Sequence, residues 1–127
     1  MEFLKKTQTT KSKGDAAEEA ALAYLQDRGL RLLQRNYRTP GRGGGEIDLI
    51  MQLPDGTVVF VEVRKRASQA FGGAAASVGT VKQRRIVFAA RHYLMRWRSL
   101  PPSRFDVVLV EAEGLQWLQA AFDGGGA

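Results

Sequence analysis

Polar and apolar positions alternate over Glu46-Ile47-Asp48-Leu49-Ile50, and Thr57 to Val63 is almost entirely β-branched or aromatic. Both patterns predict strands. Pro54-Asp55-Gly56 between them is a turn signal, Pro presetting φ and Gly accepting positive φ. A hairpin folded about Asp55 pairs residues whose numbers sum to about 110, because a slip by one would expose the Val/Phe/Val set. On that register Asp48 opposes Glu62 and Glu46 opposes Arg64, with all four side chains on one face.

The rest of the chain falls around this hairpin. Ala21, Leu22 and Leu25 form the apolar stripe of a first helix, expected to start near Gly14 or Asp15 and to stop at Gly29. Asp15, Glu18 and Glu19 then suit its positive end. Leu30 to Arg38 reads as a strand, and Thr39 to Gly45 as a glycine-rich linker without the Lys and Ser/Thr of a phosphate-binding loop. Ala67 to Gly79 is small and loop-like. Ile86, Ala89, Ala90, Tyr93, Leu94 and Trp97 repeat at helical spacing, so a second helix, capped by Ser77 or Thr80, runs to about Arg98 before Pro101-Pro102. Arg104 to Val110 is a buried strand and Leu115 to Phe122 an edge strand. Helix, three strands, helix and one or two strands make an α/β domain, a mixed sheet flanked by helices. Its expected span is 14–123, with a loose basic arm over 1–13 and a glycine tail over 124–127.

Composition narrows the chemistry. At 127 residues there is room for one core. No apolar run is long enough to cross a membrane, and the basic N-terminus lacks the apolar centre of a signal peptide. Cysteine is absent, which excludes disulfides and thiolate metal sites and fits a cytoplasmic protein. His92 is the one histidine and lies within helical sequence, which disfavours zinc sites and a Ser-His-Asp triad. The net charge is +6, and between Val63 and Phe105 ten Lys and Arg residues meet no acid. That asymmetry favours a polyanionic partner, although solvated helix faces can be equally basic.

The candidate chemistry lies in the carboxylates. Asp48 and Glu62, with Cβ atoms roughly 5 Å apart across the hairpin, repel unless something intervenes. A hard divalent cation such as Mg²⁺ or Mn²⁺ answers that, as does protonation of one acid or pairing with Arg64. Glu18 precedes Ala21, Leu22 and Leu25 by three, four and seven residues, on the same stripe, where a carboxylate is costly unless satisfied. Capping backbone amides in the first turn is the structural alternative. Asp106 is a possible further site acid, with Arg104 or a loop amide as its competing partner.

Gly14-xxx-Glu18, Asn36-Tyr37-Arg38, GEIDLI over Gly45 to Ile50, FVEVR over Phe60 to Arg64 and Arg104-Phe105-Asp106 resemble the bacterial UPF0102, or YraN-like, family. That family is similar to the restriction-endonuclease-like superfamily and to archaeal Holliday-junction resolvases. The resemblance implies a metal-dependent, structure-selective DNA endonuclease using Mg or Mn and acting as a homodimer. Glu18 takes the place of the helix acid, Asp48 of the central Asp and Glu62 of the Glu in a D…ExK pattern. These three would hold the metal, which would acidify the attacking water and stabilise the charge developing on the phosphate. Arg64 stands where the pattern has Lys; it stays protonated and can grip phosphate oxygens but cannot act as a base. Lys82 is positioned to assist, and Arg66, Lys82, Arg84 and Arg85 would contact the nucleic-acid backbone. Two rival readings are a non-catalytic nucleic-acid-binding protein with the same fold, and a module whose basic face meets an acidic protein.

Overall fold

The computed structural model describes residues 10–66 and 78–124, with side chains from 15 onward. Five strands form one sheet in the order β1-β2-β3-β4-β5. Their spans are β1 Arg31–Arg38, β2 Glu46–Gln52, β3 Val58–Lys65, β4 Ser103–Glu111 and β5 Gly114–Phe122; the helices are α1 Thr10–Asp27 and α2 Thr80–Leu94. β3 and β4 run parallel and every other neighbouring pair is antiparallel. This is the mixed α/β arrangement expected, with the hairpin at its middle.

The hairpin holds the expected register. Leu49 pairs with Val61 and Gln52 with Val58. Leu53 O accepts from Gly56 N–H at 2.9 Å, closing the turn, and the Asp55 carboxylate takes the Thr57 amide at 2.9 Å. Gly56, at φ +97°, supplies the left-handed residue that the turn requires.

Each helix covers one face. Ala21, Leu22 and Leu25 of α1 pack with Leu49, Met51, Val59, Val61 and Val108. Ile86, Ala89, Ala90 and Tyr93 of α2 pack with Ile50, Val58, Phe60, Phe105, Val107 and Leu109. Strand alternation explains this division along β3, where odd residues face α1 and even ones α2. Along β2 the alternation breaks around Asp48: Ile47 joins the α2 side with Ile50, whereas Leu49 and Met51 lie on the α1 side. The break adjoins Asn36 of β1, a non-glycine residue at φ +50°.

Several boundaries differ from expectation. α1 begins at Thr10, so the arm's last residues, 10–13, are helical, and Gly14 is interior. Once nucleated, a helix extends at little cost. Glu18 and its acidic neighbours are therefore not in the first turn, and capping by Glu18 is excluded. The C-terminus is as expected: Leu30 N–H bonds Leu25 O at 3.1 Å and Gly29 N–H bonds Gln26 O at 3.0 Å, with Gly29 at φ +94°. α2 starts at Thr80 without a side-chain cap, its N-cap being Gly79. It ends at Leu94 rather than Arg98, in a tightened turn where Trp97 N–H reaches Leu94 O at 3.0 Å. Three parts of the sequence reading lie outside the described residues: the arm over 1–9, the small-residue loop over 67–77 with Ser77, and the tail over 125–127. No helix among the described residues is long and apolar enough to cross a membrane.

Candidate active site

Asp48 sits where the hairpin ladder stops. The last β2–β3 pair is Leu49–Val61, and beyond it the Asp48 carboxylate itself accepts the Val63 amide at 2.8 Å. A side chain thus replaces a ladder hydrogen bond, leaving the acid anchored at the splayed end of the strands. Because alternation breaks there, groups from both faces of the sheet reach it. Glu62, 7% exposed, belongs by alternation to the α2 side, and Lys82 of α2 approaches its Oε2 to 3.4 Å. Glu18 comes from α1 on the other side, its side chain 14% exposed. Both glutamates interact with Asp48 as hydrogen-bond and charge neighbours.

This crowding sets the protonation states. Burial first, and the Asp48 charge second, raise Glu18 from 4.5 to about 7 and Glu62 from 4.5 to about 7. Burial also raises Asp48, opposed by the Val63 amide, the Lys82 charge and a hydrogen bond from Glu62. Lys82 is in the first turn of α2, where a cation opposes the helix dipole; Glu62 offsets that local cost.

Two further groups touch Glu18. Arg35 of β1 approaches Glu18 Oε1 to 3.8 Å while donating to Glu19 Oε2 at 2.7 Å. The sequence reading missed Arg35; the acidic pair Glu18-Glu19 facing a strand with one central cation was the available signal. Glu18 Oε1 remains buried without a hydrogen-bond partner among the described residues. An orphaned carboxylate oxygen beside two more carboxylates is an all-oxygen, anionic donor set of the kind hard divalent ions take. Among the described residues no three acids already close on a common point; they form a chain with Asp48 as its shared member.

The other sequence candidates divide. Arg64 is half-buried on β3, and no ion pair holds it among the described residues. The expected Glu46–Arg64 pairing is not a ladder pair; Glu46 instead faces Arg38 across β1–β2, at 3.6 Å. Arg66, its side chain 13% exposed, pairs with Glu111 at 3.3 Å, which draws it away from an exposed phosphate-contacting position. Arg84 and Arg85 are exposed on α2. Asp106 is fully buried and committed to Arg104 at 3.0 Å, Trp117 Nε1 at 2.9 Å and the Ala120 amide at 2.9 Å. It is a structural acid, fixing the β4–β5 irregularity between Phe105 and Val107. The loop from Thr39 to Gly45, read as a linker, is pinned: Gly45 N–H bonds Thr39 Oγ1 at 2.8 Å and Thr39 N–H bonds Gly45 O at 3.1 Å.

A mixed α/β sheet flanked by two helices, with a lysine-backed chain of three acids where its hairpin opens, defines the class. The model described as "Uncharacterised protein family UPF0102" matches residues 17–110, and the chain belongs to that family. It is 72% identical over 115 residues to a UPF0102 protein of Albidiferax ferrireducens, covering 91% of this chain and 90% of the relative. A UPF0102 protein of Paracidovorax citrulli is 71% identical over 117 residues, covering 92% and 87%. One from Methylibium petroleiphilum is 61% identical over 118 residues, covering 91% and 97%.

Proposed function

We propose that this protein is a metal-dependent, structure-selective DNA endonuclease. The single observation that carries the reading is Asp48, which is anchored by the Val63 amide at 2.8 Å and adjoins both Glu18 and Glu62. Asp48 and Glu62 would hold Mg or Mn, with Glu18 completing the set through its orphaned oxygen. Bound there, such an ion supplies charge for a scissile phosphate oxygen and acidifies the attacking water. Lys82, 3.4 Å from Glu62, is placed to donate to a phosphate oxygen once the acid is engaged elsewhere. Arg64 can grip the same phosphate, but its permanent proton bars it from acting as a base. Arg84 and Arg85 add backbone attraction that does not depend on sequence. The resemblance to junction resolvases is what favours branched substrates.

A second reading, a nucleic-acid-binding protein that does not cut, is favoured by one observation: Arg64 occupies the lysine position of the ExK pattern. Incubating the purified protein with branched, flapped and linear DNA in Mg²⁺ or Mn²⁺, beside Asp48→Asn and Glu62→Gln, separates the two. Cutting of branched DNA that both substitutions abolish is expected. Cutting that survives both overturns the site, and binding without cutting selects the second reading.

A further inference from the structure

Beside the acids, the pinned loop and α2 enclose a cleft of about 300 Å³, lined by Arg38, Gly44, Gly45, Glu46, Lys82 and Arg85 among others. The loop packs so closely that a Cβ on Gly45 would lie 1.9 Å from Arg85 O, and one on Gly44 would lie 1.9 Å from Thr39 Oγ1. Gly44 and Gly45 contribute only backbone to the cleft lining. Among the described residues, three cations face it against one carboxylate, Glu46, which is 3.6 Å from Arg38 Nη2. Among the described residues, Ile86 is the one large apolar side chain lining it. Its size is at the small end of ligand clefts, ~300–1,000 Å³.

These features select the ligand's chemistry. A cationic pocket partly lined by glycine backbone suits a compact anion such as a phosphate. Lys82 belongs both to this cleft and to the acid cluster, through Glu62 at 3.4 Å, and Glu46 is two residues before Asp48 on β2. The cleft and the acids therefore adjoin. We propose that the cleft binds a second backbone phosphate of the DNA strand cut at the acids, so that Arg38 and Arg85 set where the scissile phosphate falls. This rests on the endonuclease reading. Glu46 competes with that phosphate for Arg38 and weakens binding when it does.

The test is fluorescence anisotropy of a labelled branched DNA with the full-length protein in EDTA, across a range of salt. Arg38→Ala and Arg85→Ala should each weaken binding about tenfold, the scale of a lost charge-assisted contact. Each should also reduce the salt slope by about 0.9, the loss of one phosphate contact. Glu46→Gln should tighten binding, an outcome that no folding defect would mimic. Arg98→Ala, an exposed arginine that does not line the cleft, should change neither quantity. AMP in millimolar excess should leave the complex intact; its displacing the DNA would assign the cleft to a free nucleotide and overturn the proposal. If Arg38→Ala and Arg85→Ala match Arg98→Ala while wild type binds and cuts, the cleft assignment falls and the endonuclease reading stands. If wild type shows no DNA binding at low salt, both fall.

Discussion

Asp48 anchors the Val63 amide and, on the proposed reading, also holds the metal, and substitutions separate the two roles. Asparagine keeps an oxygen for the Val63 amide, whereas alanine leaves that donor unpaired at a cost of about 1–3 kcal/mol. Urea unfolding should therefore find Asp48→Asn near wild type and Asp48→Ala destabilised by that amount, with both inactive on DNA. Protonation is the second residue-scale consequence. Glu62, and with it Glu18, has a folded-state pKa of about 7 against the ordinary 4.5, so the folded protein binds more protons than the unfolded chain between these values. Their contribution to stability is complete below about 4.5 and is lost as pH rises through about 7. In EDTA, Tm should fall over that window, and Glu62→Gln should flatten the fall. Mn²⁺ at neutral pH should raise Tm of wild type and leave that of Glu62→Gln little changed. Arg64→Lys restores the ExK residue, and faster cutting is expected in a plasmid-nicking assay; an unchanged rate would mean that Arg64 does not limit the chemistry.

At the scale of elements, the strands and the turn were legible because each is encoded locally. Pro54-Asp55-Gly56 placed the turn, and the face requirement of Val59, Phe60 and Val61 fixed the register that put Asp48 beside Glu62. Gly29 marked the end of α1 for a similar reason, since a left-handed residue is needed there. What escaped the sequence depends on partners distant along the chain. Arg66 reads as an exposed cation until the parallel β3–β4 pairing brings Glu111 to it. Glycines 44 and 45 read as slack, whereas their lack of side chains answers to packing against Thr39 and α2. The start of α1 at Thr10 has no local signal, because Gly14 and the basic residues before it argue against a helix. Asp106 reads from sequence as either a site acid or a structural one, and its contacts with Arg104, Trp117 and Ala120 decide for structure. Asp106→Ala should cost about 1–3 kcal/mol in chemical denaturation, the scale for leaving the Trp117 and Ala120 donors unpaired. Any protein that remains folded should cut DNA at the wild-type rate.

Over the whole molecule, the charge of +6 gathers on one stretch of chain, and the fold turns much of that stretch into α2, whose Lys82 and Arg85 flank the acids and the cleft. Association with DNA should accordingly weaken steeply with salt and vary little with sequence, which a salt titration against two unrelated duplexes would check. The family match extends over residues 17–110, which contain both helix-borne groups and the hairpin acids.

The close seat of Gly45 against the carbonyl of Arg85 makes the loop a spacer between β2 and α2. A single methyl group there has nowhere to go except into the helix, which would have to swing outward. Lys82 rides on that helix one turn earlier, so alanine at position 45 would loosen the ammonium from Glu62 without altering either residue. An inert-looking glycine is in this sense the shim that sets the gap at the acids.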